Sequence, residues 1–184
     1  ETGSLPIPID DVSKETISPF LGKEFLDGVL GIGIISLIVV ALIVFIRYKN
    51  PKIALPMIVT GASEVILLLG FASFMKINLD LSSVAGVLAV IGTGVDHQII
   101  IMDELMKGEH ASADSMSARV KRAFTIVVGA AATVLATMVP IIFFGFGLGK
   151  LLGFAVMTIV GVLIAVVITR PAYAELAKWA VKGK

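Results

Sequence analysis

The chain has 184 residues, 57% of them hydrophobic and only 16% charged, with a formal net charge of +1. Soluble domains are about 45–50% apolar and about 25% charged, so the composition excludes an ordinary soluble domain. The balanced charge leaves no nucleic-acid signature, and the absence of cysteine excludes disulfides and thiolate metal sites.

Residues 1–24 are polar and proline-interrupted. Ser4-Leu5-Pro6-Ile7-Pro8 reads as extended, because each proline biases its predecessor away from helix. Val12 to Ser18, with Asp10-Asp11 as the turn, reads as a partner strand. The acidic, polar start does not fit a cleavable signal peptide. This segment, which begins without Met, is expected to be the remnant of an extracytoplasmic domain.

Five apolar runs follow, at about 26–46, 53–75, 81–103, 123–144 and 151–170. Each is near the ~20 residues that cross ~30 Å of hydrocarbon. The predicted fold is an all-α polytopic membrane protein with five transmembrane helices (bundle 25–171) and a cytoplasmic tail at 172–184. The basic residues divide eleven against four between the two sides. The richer side is predicted to be cytoplasmic, with the N-terminal segment outside and the C-terminus inside. The Ser- and Ala-rich loop ahead of the fourth run predicts a short interfacial helix over 113–122. The Gly145–Lys150 stretch predicts a sharp external turn; no strand precedes it, so it is not read as a phosphate loop.

Two acids lie deep in the runs. Glu64 is at the middle of the second. Asp96 is about four residues past the middle of the third, in Gly92-Thr93-Gly94-Val95-Asp96-His97-Gln98. A charged residue at a helix centre costs about 2.5–3.5 kcal/mol on insertion scales and marks ion or proton paths. Every Lys and Arg falls in a loop or at a helix end, so neither acid has an embedded base to pair with. Similar depth predicts that the two carboxyls face each other, an arrangement in which both do not ionise cheaply. Thr93, His97 and Gln98, with Thr133 and Thr137 of the fourth run, complete the candidate proton path. Gly129, Thr133 and Thr137 recur every four residues on one face of the fourth run. Small residues let helices approach closely, so Gly92, Gly94 and Gly129 are packing candidates and Thr133 a donor to Asp96 or Glu64. Pro140 is expected to bend that helix. His97 and His110 are too far apart for a short-spaced metal motif, and no metal or organic cofactor is expected.

Several stretches, taken in order, resemble a known family. These are Gly3-Ser4-Leu5-Pro6, Ser18-Pro19-Phe20-Leu21-Gly22, Ser83-Val84-Ala85-Gly86, Ile91-Gly92-Thr93-Gly94-Val95-Asp96, Gly147-Leu148-Gly149, Gly153-Phe154-Ala155-Val156 and Thr169-Arg170. Together they are similar to the C-terminal membrane half of SecD, a protein-export family of the resistance-nodulation-division (RND) superfamily. The resemblance implies that the five helices are the second to sixth of a six-helix bundle. It further implies a SecF-like partner, work beside the Sec translocon on an exported polypeptide in the cell membrane, and proton coupling through Asp96. Bacterial members follow that aspartate with Ala and Asn, where this chain has His97 and Gln98, and they carry an uncharged polar residue where it has Glu64. These departures point to an archaeal-type member. Two other readings stand beside it: an RND exporter of hydrophobic small molecules, and an intramembrane aspartyl protease, whose chemistry needs two carboxylates sharing a proton. The protease reading lacks a second deep Asp.

Overall fold

The computed structural model describes residues 19–77, 79–107, 115–144 and 149–182. The expected extended segment and strand within 4–18, and most of the Gly145–Lys150 turn, lie outside the described residues. So does the start of the expected interfacial helix.

Six α-helices and one π segment make up the described chain: α1 (Pro19–Tyr48), α2 (Pro51–Phe74), α3 (Leu81–Met106), α4 (Met116–Phe144), α5 (Gly149–Ile164), a π-helical segment (Ala165–Thr169) and α6 (Arg170–Lys182). No strand occurs among the described residues. The fifth span, Leu151–Val181, runs through α5, the π segment and α6; with it, five helical segments are long and apolar enough to cross a membrane. That is the polytopic membrane fold expected from the five runs.

The boundaries follow local chemistry. Pro19 is the first residue of α1, where its missing N–H costs nothing. Asn50 caps α2 by accepting from the Lys52 N–H at 3.0 Å, with Pro51 next. Asp80 caps α3, accepting from Ser83 N at 2.7 Å. Lys49 and Lys76 take left-handed conformations (φ 49° and 55°) where the chain leaves α1 and α2.

One expectation changes: residues 116–122 are the first two turns of α4 rather than a separate interfacial helix. Residues 172–182 are helical. Helix α4 runs through Pro140 to Phe144, the end expected of the fourth run.

Helix α3 is the centre of the bundle. Its close fit against α5 depends on glycine. A Cβ on Gly86 would sit 2.8 Å from the Phe154 carbonyl oxygen, one on Gly161 would run into Val90, and one on Gly153 would meet Ser83. Two apolar clusters form. One lies at the end where α1 meets α2 and includes Ile53, Met57, Ile101, Leu105 and Tyr173. The other, toward the opposite end, includes Leu68, Ala72, Val87, Val90 and Met157. Along α2, Thr60 and Glu64 fall between the two clusters.

A candidate charge site within the bundle

Glu64 is 2% exposed and Arg170 is 0% exposed. Arg170 Nη2 lies 2.8 Å from Glu64 Oε2. The same carboxylate oxygen accepts from Thr169 Oγ1 at 3.0 Å, and Arg170 Nη1 donates to Thr169 Oγ1 at 3.2 Å. The Gln98 amide completes the group. With its oxygen toward Arg170 it accepts from Arg170 Nη1 at 3.3 Å and from Thr60 Oγ1 at 2.8 Å, and it donates to Met57 O at 3.2 Å. In the opposite orientation it donates to Thr60 Oγ1, but its oxygen then faces only acceptors. The first orientation is therefore adopted.

This arrangement corrects the expectation that Glu64 has no embedded base. The Arg170 backbone stands at the end of the fifth run, as expected. Helical side chains, however, lean toward the N-terminus of their own helix. The long guanidinium stem therefore reaches back into the bundle rather than out to water. A buried carboxylate with no counter-ion is costly, so the depth of Glu64 was itself a signal that a base from a helix end had to turn inward. The π segment brings that end into place. Arg170 N–H bonds to Ala165 O, five residues back, so this turn holds one residue more than an α-turn. Such bulges recur at functional positions.

Gly94 is the floor of the site. A Cβ there would lie 3.0 Å from Arg170 Nη2 and 3.1 Å from Glu64 Oε1. The close approach at Gly94 is to the ion pair and not to another helix backbone.

Asp96 is elsewhere. It is exposed and has no hydrogen-bond or ion-pair partner among the described residues. Two residues beyond Gly94 is about 200° around the helix, so Asp96 points away from Glu64. The expected facing of the two carboxyls is not found. Gly92 and Ala85 are also exposed and Ala89 is half-buried. At spacings of three and four, Ala85, Ala89, Gly92 and Asp96 form one outward stripe. Among the described residues, a Cβ on Gly92 meets nothing within 4 Å.

The remaining candidates separate. Gln98 joins the ion-pair network. His97 is buried, with no partner for Nδ1 among the described residues. Thr93 is half-buried and its hydroxyl donates back to its own helix, to Ala89 O at 3.1 Å. Helix α4 is turned opposite to expectation. Its buried face is Ala123, Val127 and Ala131, whereas Gly129, Thr133 and Thr137 are exposed. Thr133 donates to Ala130 O at 2.7 Å and Thr137 to Val134 O at 2.8 Å, so Thr133 is a donor to neither acid. Gly129 has open space where a Cβ would be.

A second polar set ties the helices at the end where α1 meets α2. Arg47 pairs with Asp103, and Tyr48 OH donates to Asp103 Oδ1 at 2.8 Å. Arg122 Nε pairs with Glu104 at 3.2 Å. These partly exposed pairs register α1, α3 and α4 and add little to stability.

The molecule is thus a polytopic helical membrane protein with an ion pair buried among its spans and a carboxylate on its outer face. Residues 5–179 match the family model of the protein export membrane protein SecD/SecF, C-terminal, and the chain belongs to that family. It is 49% identical to the protein-export membrane protein SecD of Methanocaldococcus jannaschii over 176 residues, covering 96% of this chain and 43% of that protein. It is 46% identical to the SecD of Haloferax volcanii over 182 residues, covering 96% and 34%. Identity to the protein translocase subunit SecD of Aquifex aeolicus is 29% over 164 residues, covering 88% and 32%. The chain therefore spans well under half the length of these relatives. No solved structure matches it.

Proposed function

We propose that the chain is the membrane core of a SecD-type protein-export subunit, which pairs with a SecF-like subunit beside the Sec translocon and helps move an exported polypeptide outward. The N-terminal segment is outside and the C-terminus is cytoplasmic, as the distribution of basic residues favours. The names of the relatives support protein export over small-molecule export. The observation that carries the reading is the outward stripe Ala85, Ala89, Gly92 and Asp96. A carboxylate facing hydrocarbon is costly and marks an ion or proton path, and small residues beside it suit the close approach of another helix. A partner helix against this stripe covers Asp96 and leaves it able to take up and release a proton from the gradient across the membrane. The separation of Glu64 from Asp96 speaks against a shared-proton protease dyad, so the role proposed is coupling and not catalysis.

The test is export of a labelled precursor in cells carrying the full-length protein with Asp96→Asn, with and without a collapsed gradient. Asn keeps the shape and removes the titration. Export is expected to fall and to lose its dependence on the gradient. Normal, gradient-dependent export at equal protein levels would overturn the coupling role.

A further inference from the structure

The two oxygens of Glu64 are not equivalent. Oε2 is held by Thr169 and Arg170. Oε1 is buried and has no hydrogen-bond partner among the described residues. Glu64 lines a small cavity with Leu37 and Val40 of α1, Gly61 of α2, and Val90 and Gly94 of α3. The cavity measures about 20 Å³, enough for the centre of one water molecule, which needs roughly 10–15 Å³. Gly94, on which a Cβ would lie 3.1 Å from Oε1, has no Cβ to fill it, and among the described residues a Cβ on Gly61 would meet nothing within 4 Å. Both glycines leave the space open beside the one free carboxylate oxygen.

We infer that Glu64 is a protonation site distinct from Asp96, its free Oε1 opening onto this cavity, and that its protonation releases Arg170 and turns the helix that begins there. A hydronium entering the cavity gives one proton to Oε1, forming an O–H bond, and leaves a neutral water. The pair goes from net zero to a net charge of one. Arg170 is left as a buried cation with neutral acceptors only, Gln98 and Thr169. An unpartnered buried cation is strongly unfavourable. Arg170 has a way out, because its long side chain can swing away from the carboxylate as the helix turns. The π segment is the element that gives way. Returning its extra residue to an α-turn rotates α6 by about 100° about its axis. That rotation withdraws Arg170 from Glu64 and re-aims Leu176 and Trp179, which are exposed in the present state.

The surroundings of Glu64 leave little else to titrate. Helix α1 contributes Leu37 and Val40 to the cavity, and among the described residues α5 bears no titratable group facing it. Helix α3 brings His97, buried, and Gln98. The π segment and α6 bring Thr169, Arg170 and Tyr173, whose hydroxyl is buried without a partner among the described residues. Asp96 is on the far side of α3. The inference goes beyond the proposed function and does not depend on Asp96.

The chain contains no cysteine; in the full-length protein, with any cysteine outside this chain replaced, spin labels introduced at Leu55→Cys on α2 and Leu176→Cys on α6 report one distance. Both positions are exposed. The full-length protein in lipid vesicles is acidified while the label distance and the infrared carbonyl band of protonated carboxylic acid are followed. The unsubstituted site is expected to show a second distance population growing with the band. Glu64→Gln is expected to show the second population at every pH and to lose the part of the band that grows with it, while Asp96→Asn retains both changes. A distance in Glu64→Gln that equals the high-pH distance at every pH overturns the inference. So does a pH response lost in Asp96→Asn and kept in Glu64→Gln, and that outcome leaves the proposed coupling role of Asp96 standing. If Glu64→Gln does not accumulate, Thr169→Val removes one donor to Oε2 with nearly the same shape. Its midpoint is expected to move, and an unmoved midpoint overturns the inference.

Discussion

Glu64 and Asp96 are two carboxylates in neighbouring spans, and the bundle treats them oppositely. Glu64 is enclosed by α2, α3, the π segment and α6, with a guanidinium, a hydroxyl and an amide around it. Asp96, two residues from the glycine that floors that site, looks outward with no such enclosure. A charge that a chain satisfies by itself is part of its own folding. A charge left on the outer face of the described helices is open to completion from outside them, which the proposed function assigns to a partner helix. The two acids should therefore respond to different perturbations, one to changes inside the chain and the other to loss of a partner.

The largest expected effect is at the enclosed site. Arg170→Leu leaves Glu64 without its counter-ion and should destabilise the bundle by about 3–5 kcal/mol, read as the unfolding free energy in detergent micelles. The double substitution Glu64→Leu with Arg170→Leu should recover much of that loss, because the uncompensated charge is gone. Equal loss in the single and the double variant would show that the ion pair is incidental to packing. Next in size is Gly94→Ala, whose Cβ would crowd Arg170 Nη2 and Glu64 Oε1. A cost of about 1–3 kcal/mol is expected from overpacking. Gly92→Ala, half a turn away in open space, should leave unfolding within about 0.5 kcal/mol of the parent and should weaken only the association with a partner subunit. If Gly92→Ala and Gly94→Ala cost the same in the isolated chain, the contrast between the two faces of α3 fails. The smallest effect is expected at Thr133→Ala and Thr137→Ala. Among the described residues their hydroxyls bond only to carbonyls of their own helix, so export and stability should both stay near parent values.

The five spans were legible because run length alone reports the hydrocarbon thickness. Which face of each span turns inward was not. In a soluble helix, polarity marks the outer face, but in a membrane both lipid and protein contacts are apolar, so periodicity loses its sign. Gly129, Thr133 and Thr137 do share a face of α4, yet the face that packs is Ala123, Val127 and Ala131. The same ambiguity hid the outward turn of Asp96. Gln98 was found because a polar residue beside a deep acid is already unusual. Arg170 was missed because the positive-inside rule locates the backbone and not the end of a seven-atom side chain. The helical character of 172–182 could have been found in its spacing. Tyr173, Ala174, Ala177 and Ala180 are buried at helical intervals, a pattern that average polarity conceals.

The most direct test of the contrast between the two acids is disulfide or photo-crosslinking in native membranes from α3. Ala85 and Gly92 are replaced in turn by a crosslinking residue, with the exposed α4 positions Thr133 and Thr137 as controls. Crosslinks from positions 85 and 92 to one distinct membrane polypeptide, lost on Asp96→Asn or Asp96→Leu and stronger than those from the controls, are expected. Crosslinks to lipid alone from positions 85 and 92, in membranes that export normally, would contradict the assignment of this face to a partner.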